Sequence, residues 1–324
     1  GGEGALFLQI NRNKKCITLD PMKPEGQEVM RRLVATADVV VANLPPQTLR
    51  AMKLDYDSLK AIKPDIILTT ATAFGGPGPW SDRVGFDGVA QAMSGTVYMT
   101  GEPDQPYRAQ VNWVDFGTAM HCAFGTLAAL MERARTGRGQ VVEGSLLGTA
   151  LSFANPMLIE QGVAAPDRVP TGNRGQTAAP VDIYRTRDGW ILVQVVSQPL
   201  FERWARLMDE PHWLEDPRFA DPNSRAVHRA PLTDALDPTF RTRTTGDWLA
   251  AFNGLLPAAP VYRLDQALDS GFARSTGMVS AVPHPAKGSL RVIANPIRID
   301  GERLAQAACA PLGADNNSLL GKRA

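Results

Sequence analysis

The sequence predicts an α/β protein in which a Rossmann-like large domain with a parallel sheet is joined to a smaller α+β domain. Strand and helix patterns alternate over the first third of the 324 residues, which is typical of a parallel sheet whose strands are joined by helices. After about residue 180 the pattern changes to a hairpin followed by helices. We expect residues 1–175 to form the large domain, 180–285 the small domain, and 286–324 to return to the large domain.

Five segments produce the alternation. Residues 16–20 have a short strand pattern, and a helix is predicted over 24–37, with a proline in its first turn. Residues 38–44 and 66–72 are continuous apolar runs, as expected for strands covered on both faces. A helix over 47–62 connects them. In such a sheet the ligand crevice lies at the carboxyl ends of the strands.

The longest helix is predicted over 116–135, after a Gly- and Pro-rich loop at 75–80 and a shorter helix at 86–93. Its large apolar residues recur at the spacing of a core-facing helix; they are Met120, Phe124, Leu127, Leu130 and Met131. Gly137 is suited to end this helix, because a glycine tolerates the left-handed conformation that follows a last turn. A short apolar run begins at Val141.

The second half of the chain is predicted from one turn and several periodic segments. Asp188-Gly189, inside the run 183–193, is a signal for a tight hairpin. Helices are predicted over 199–208 and 246–253, and a strand over 290–293.

Composition excludes several classes of partner. Hydrophobic residues make up 44% of the chain, enough for a large core in two domains. The 34 Lys and Arg nearly balance the 33 Asp and Glu, and no basic stripe indicates nucleic acid. No apolar run reaches the length of a membrane span, so no membrane partner is expected. Cys16, Cys122 and Cys309 form no CxxC pair, which indicates reduced thiols in the cytoplasm.

The usual motifs for nucleotides, metals and hydrolysis are missing from the sequence. No GxGxxG follows a strand pattern, and no GxxxxGK[ST] loop occurs. Residues 144–148 are GSLLG rather than the GxSxG of a hydrolase. The four histidines have neither metal-ligand spacing nor an HExxH pattern. We therefore expect no metal site.

Asp115 is the most informative single residue, because it stands between a strand-like run and the longest helix. At such a junction an aspartate can cap the helix, which contributes about 1 kcal/mol, or act as a nucleophile, and the two roles are not exclusive. The amides of a helix N-terminus would favour its ionised form. His121, six residues further on, points to another helix face and is interpreted as a packed histidine.

Two other segments allow more than one interpretation. Lys14 and Lys15, just before the first strand pattern, either bind phosphates or belong to a solvated turn. Gly172, Gly175 and Gln176 belong either to a mobile lid or to an ordinary linker between domains.

Several segments, taken in their order along the chain, match the pattern of one protein family. They are NRNKKCITLD at 11–20, ADVVVANL at 37–44, GFD at 85–87, QAMSG at 91–95, TGEPD at 100–104, the stretch 115–140, DPRF at 216–219 and APLG at 310–313. This set resembles the family III CoA-transferases (CaiB/BaiF type, with formyl-CoA transferase), which are related to the α-methylacyl-CoA racemases. The resemblance runs nearly from end to end.

The resemblance implies that Asp115 is the catalytic nucleophile. In this family the carboxylate attacks an acyl-CoA thioester and forms an aspartyl mixed anhydride, which the released CoA converts to an aspartyl-CoA thioester. A carboxylic acid acceptor then takes the CoA. Coenzyme A is thus part of the substrate, and no permanently bound cofactor is expected. A lid must keep water from the anhydride, and residues 172–176 fall near the place of the family's glycine-rich loop.

The resemblance also implies contacts with CoA and a quaternary structure. Asn43, Leu44 and Met52 match positions that meet CoA, and Lys14 and Lys15 are candidates for its phosphates. Family members form homodimers interlocked like the links of a chain, so an interlocked homodimer is expected. Family chains begin some tens of residues earlier, with a βα unit that we expect to be missing from this sequence.

Two alternative functions remain open at this point. The racemase branch uses a histidine and a glutamate, whose positions fall on Phe86 and Gln198. Neither can act as a base near neutral pH, which favours CoA transfer over racemisation. The other alternative is a non-catalytic acyl-CoA-binding protein, which would bind CoA without using Asp115.

Overall fold

The computed structural model describes residues 3–163, 168–285 and 287–321. It contains two compact units, a terminal unit (residues 1–32 and 262–324) and a central unit (residues 33–261). The strands are β1 Val39–Ala42, β2 Ile67–Thr72, β3 Val141–Ser145, β4 Val181–Arg185, β5 Trp190–Gln194, β6 Ala258–Pro260, β7 Val279–His284 and β8 Gly288–Ile293.

The helices follow the same chain order. They are α1 Ala5–Ile10, α2 Pro24–Thr36, α3 Pro46–Ala51, α4 Tyr56–Ile62, α5 Asp87–Met93, α6 Thr96–Thr100, α7 Trp113–Thr136, α8 Leu146–Phe153, α9 Asn155–Val163, α10 Gln198–Leu207, α11 Pro222–Val227, α12 Arg229–Phe240, α13 Thr245–Phe252, α14 Leu264–Leu268, α15 Gly271–Thr276 and α16 Asn316–Leu320. Short 3₁₀ turns occur at Pro211–Leu214 and Pro217–Phe219.

The central unit contains a parallel sheet in the order β1-β2-β3. Val39 pairs with Ile67, and Leu68 pairs with Val141. Ile66, Ile67 and Leu68 are buried, because β2 has a strand on each side and α7 packs against it. The predicted α/β class with a parallel sheet is confirmed.

The single helix predicted over 47–62 is wrong, because the chain forms α3 and α4 there. The break follows from two residues between them. Lys53 has a left-handed backbone conformation with φ 52°, which ends a right-handed helix. Asp55 then starts α4 by accepting the Ser58 N–H at 3.1 Å.

A separate hydrophobic core in the central unit surrounds the antiparallel sheet β4-β5-β6. The predicted hairpin is confirmed, since β4 and β5 pair on either side of the Asp188-Gly189 turn. Trp204 stacks on Trp213 in this core, with ring centroids 4.7 Å apart. The division of the chain into segments 1–175, 180–285 and 286–324 remains a prediction.

In the terminal unit, the strand predicted over 16–20 is wrong. The Cys16 N–H donates to the Asp315 carboxylate at 2.8 Å, so this backbone bonds to a side chain rather than to a neighbouring strand. The strand predicted over 290–293 is confirmed as part of β8, which pairs antiparallel with β7.

The long helix α7 is confirmed, and it ends at Gly137 with φ 70° as expected. The assignment of its large apolar residues to the core is wrong for four of the five, and Leu130 is half-buried. Met120 and Phe124 are 70% and 76% exposed, and Leu127 and Met131 are also exposed. The buried side of the helix instead consists of smaller residues, namely Val114, Gly117, Thr118, Cys122 and Ala129. Cys122 lies against the sheet, and Gly117 lies against Phe153 of α8. Small side chains let a helix approach a sheet more closely than large ones do.

Of the residues that the structure describes, α7 alone is long and apolar enough to cross a membrane by length and composition. The expectation that no segment reaches this length is therefore corrected. A single such helix is weak support for a membrane span, because core helices of soluble proteins meet the same criterion. Its low buried fraction of 28% reflects the exposed apolar side described above.

Candidate active site

Asp115 lies in the first turn of α7, but its carboxylate does not cap the helix. The carboxylate of Asp87 caps it instead, and Oδ2 accepts the N–H groups of Val114 at 2.9 Å and Asp115 at 3.0 Å. Among the described residues, the exposed Asp115 carboxylate accepts no hydrogen bond. The interpretation of Asp115 as the helix cap is therefore wrong, because Asp87 of α5 supplies the cap.

Asp87 is held in place by Gln91, one turn further along α5. Gln91 Nε2 donates to Asp87 Oδ1, and Gln91 Oε1 accepts the Ala109 N–H at 3.0 Å. Both side chains are buried, with 3% and 1% exposure. Neither residue was predicted from the sequence to have a role. The available signal was two polar side chains on one face of a short apolar helix, four positions apart.

A close backbone approach positions the start of α5. A Cβ at Gly85 would lie 2.8 Å from the Ala73 Cβ, just after β2. A larger residue at Gly85 would push the two segments apart. The glycine therefore lets α5 begin beside the carboxyl end of β2, where Asp87 can reach α7.

The surroundings of Asp115 shift its ionisation. Partial desolvation, and next the negative charge of Asp87, raise the pKa of Asp115 above its ordinary value of 3.8. This direction is opposite to the expectation from the helix amides. The reason is geometric, because the first amides of α7 already donate to Asp87.

His121 packs on α8 rather than on Asp115. Its Nδ1 lies 3.3 Å from the Thr149 Oγ1, and its ring centroid lies 5.4 Å from that of Phe153. Thr118 also bonds Thr149, at 2.9 Å. These contacts agree with the interpretation of His121 as a packed histidine of the helix.

A cavity of about 430 Å³ opens at the carboxyl ends of β2 and β3. Residues 74–81 and 143–145 line it, and they include the Gly- and Pro-rich loop. Asn43 and Leu44 directly follow β1, so they lie at the same edge of the sheet, where ligands of parallel sheets bind. Asn43 is exposed, and Leu44 is half-buried. Met52, also half-buried, follows α3.

The segment with Gly172, Gly175 and Gln176 is tied down by hydrogen bonds. The Gly172 N–H donates to the Gly101 carbonyl at 3.1 Å, and the Gly175 N–H to the Val181 carbonyl at 2.9 Å. The Gln176 side chain donates to two oxygens of residues 169–171. Gly172 has φ 61°, which favours glycine. A lid role for these three residues remains a prediction.

Lys14, Lys15, Phe86 and Gln198 are the other residues singled out from the sequence. Lys14 and Lys15 are exposed in the terminal unit, where Lys14 Nζ donates to the Asn11 side chain at 3.2 Å. Phe86 is 80% exposed. Gln198 Oε1 accepts from Arg225 at 2.7 Å. Racemisation is therefore not favoured, since neither of its two positions offers a base.

The residues that the structure describes contain no group of three or more His, Cys, Asp or Glu side chains placed to hold a metal ion.

The chain is similar to proteins that are named as CoA-transferases. The chain is 28% identical over 312 residues to succinyl-CoA:glutarate CoA-transferase of Mus musculus, covering 96% of this chain and 72% of that protein. It is 33% identical over 287 residues to succinyl-CoA–D-citramalate CoA-transferase of Chloroflexus aurantiacus, covering 87% of this chain and 71% of that protein.

The fold has a close counterpart among solved structures. A CaiB/BaiF family protein from Brucella suis superposes with a TM-score of 0.86 at 30% identity, covering 98% of this chain and 84% of that one. A family model described as CoA-transferase family III matches residues 1–316. On these grounds the chain belongs to CoA-transferase family III.

Proposed function

We propose that this chain is an acyl-CoA:carboxylate CoA-transferase that uses Asp115 as its nucleophile, through an aspartyl mixed anhydride and an aspartyl-CoA thioester. The observation that supports the proposal is the free carboxylate of Asp115, in a helix whose cap is provided by Asp87. A carboxylate that capped its own helix would have to leave its N–H partners before it could attack.

The proposed reaction consists of four successive acyl transfers, and each one is balanced. The Asp115 carboxylate attacks the donor thioester, which forms the anhydride and expels the CoA thiolate. The thiolate attacks the aspartyl carbonyl, which releases the donor acid. The acceptor carboxylate attacks the aspartyl-CoA thioester and again expels the thiolate. The thiolate then attacks the acceptor's acyl carbon, and Asp115 is regenerated. No net proton is taken up, and each hard exchange is divided into easier steps.

The site residues provide binding and protection in this scheme. Asn43, Leu44 and Met52 contact CoA, and Lys14 and Lys15 bind its phosphates. The segment with Gly172, Gly175 and Gln176 keeps water away from the anhydride. Two relatives are named for transfer from succinyl-CoA to a dicarboxylic acid. A dicarboxylic acyl donor and acceptor are therefore the first candidates for this chain.

We further propose that the protein is an interlocked homodimer in the cytoplasm. The exposed apolar side of α7, which includes Met120, Phe124, Leu127 and Met131, supports it. A contiguous apolar surface of this kind is unfavourable in water and is typical of a surface that another chain covers. A second copy of this chain would bury it.

The test is a trapping experiment on the complete protein. The protein is incubated with acyl-CoAs, beginning with succinyl-CoA, and hydroxylamine is added to intercept the activated aspartate. Peptide mass spectrometry then locates the hydroxamate. We expect it on Asp115 and only when acyl-CoA is present. Asp104→Asn, a change of an exposed aspartate, serves as the matched control and should leave the labelling unchanged.

Two outcomes would count against the proposal. An unmodified Asp115 with every acyl-CoA, in protein that binds CoA, would favour a binding protein. Deuterium from solvent that enters the α-carbon of an acyl-CoA, without any CoA exchange, would favour a racemase.

A further inference from the structure

The N-terminus of α7 is capped by a side chain of another helix, α5. The Asp87 carboxylate accepts two successive N–H groups of α7, and one of them belongs to Asp115 itself. Asp87 is 3% exposed, so this carboxylate is inside the protein and is fixed by its partners. A shift of Asp87 would move the backbone of Asp115 directly.

Gln91 determines how Asp87 can be oriented. Its amide N–H donates to Asp87 Oδ1, so Oδ2 remains for α7. Its amide oxygen accepts the Ala109 N–H at 3.0 Å, which also fixes the segment that leads into α7. With both ends of its amide engaged, Gln91 cannot flip without breaking both hydrogen bonds.

Asp87 and Asp115 are also coupled through their charges. The elements packed most extensively against α7 are α5, α8, β2 and β3. Of these, α8 and β2 have no ionisable side chain, and β3 has only Glu143. Within the part of the chain that the structure describes, partial desolvation and next the negative charge of Asp87, on α5, raise the pKa of Asp115. A higher pKa makes the ionised group intrinsically more nucleophilic, as it does for thiolates.

We propose that Asp87, clamped by Gln91, is a positioning residue that takes up the N-terminal amides of α7, so that the Asp115 carboxylate stays unbonded and keeps an enhanced nucleophilicity. This inference rests on the proposed function for its catalytic meaning, and its structural content is independent of that function. Two variants distinguish the contribution of the hydrogen bonds of Asp87 from the contribution of its charge.

Asp87→Asn removes the charge and introduces an amide N–H₂ that would face the N–H₂ of Gln91. The double variant Asp87→Asn/Gln91→Glu restores this contact, because a glutamate accepts both from the asparagine and from the Ala109 N–H. The negative charge then lies on residue 91, which is separated from Asp115 by the side chain of residue 87. Asp55→Asn is the matched control, since Asp55 caps α4 in the same unit and is not bonded to α7.

The primary measurement is the titration of the Asp115 carboxyl by ¹³C NMR, assigned by its loss in Asp115→Asn. We expect the pKa of Asp115 to fall in Asp87→Asn and in the double variant, and to stay unchanged in Asp55→Asn. This readout needs no substrate, so it tests the coupling even if Asp115 proves not to be the nucleophile.

The second measurement is the single-turnover rate of hydroxamate formation as a function of pH. In Asp87→Asn we expect the acid limb to move to lower pH. The plateau rate should fall by up to about 10²-fold, since small displacements of a nucleophile cost that much. The double variant should recover most of the rate, while its acid limb stays at the lower pH. An Asp115 titration and an acid limb that match the wild type in both Asp87 variants would overturn the inference.

Discussion

Arg225 offers the sharpest test of how the second core of the central unit is held together. The side chain is 1% exposed, and its guanidinium lies 4.0 Å above the Phe201 ring. It donates to the Ala179 carbonyl at 3.2 Å, the Phe219 carbonyl at 2.9 Å and Gln198 Oε1 at 2.7 Å. Burial lowers the pKa of Arg225. The charge is thus costly to bury and is retained for its hydrogen bonds.

The perturbation is Arg225→Met, which keeps most of the apolar volume and removes every donor. The carbonyls of Ala179 and Phe219 then lie inside the protein without a partner, and each costs about 1–3 kcal/mol. Relief from burying the guanidinium charge offsets part of that cost. The expected loss in the free energy of unfolding is roughly 2–4 kcal/mol. In urea this corresponds to a midpoint lower by about 1–2 M.

The assay is urea unfolding followed by tryptophan fluorescence, because Trp204, Trp213 and Trp248 all belong to this core. Arg225→Lys should recover only a minority of the loss, since an ammonium cannot reproduce the planar fork of a guanidinium. Arg218→Met is the matched control. Arg218 is exposed and pairs with Asp216, so its replacement should change the free energy of unfolding by less than about 0.5 kcal/mol. An Arg225→Met midpoint equal to that of the control would refute the reasoning.

Three further outcomes are expected. Because the pKa of Asp115 is raised and the carboxylate must be ionised to attack, the single-turnover hydroxamate rate should fall, as pH decreases, through an apparent pKa above 3.8; a limb at or below that value would contradict this. Gly144→Ala would place a Cβ against the Cys122 Sγ and should lower the free energy of unfolding by about 1–3 kcal/mol. Gly162→Ala is the control in the same denaturation assay; it has open space around it and should not lower the free energy of unfolding. Phe124→Lys on the exposed side of α7 should shift the protein towards monomer in sedimentation velocity, and an unchanged distribution of species would exclude this surface as the interface.

The local elements of the fold could be predicted from the sequence because their causes are local. The continuous apolar run at 66–72 predicted β2 to within one residue, and Gly137 predicted the end of α7. Asp188-Gly189 predicted the β4–β5 hairpin. The ordered family segments predicted the membership in CoA-transferase family III. The single helix predicted over 47–62 was wrong because Lys53 adopts a left-handed conformation and Asp55 starts a second helix.

Only the tertiary structure decided how these elements serve the site. The sequence identified Asp115, but it could not show that a carboxylate 28 positions earlier caps the same helix, since that contact depends on how α5 and α7 pack. Helical periodicity located an apolar side on α7 but could not say what covers it. Of the small residues on α7, Cys122 lies against the sheet and Gly117 lies against Phe153 of α8, because small side chains permit a close approach. Packing between distant segments, rather than any local preference, therefore determined the cap, the free carboxylate and the exposed side of the helix.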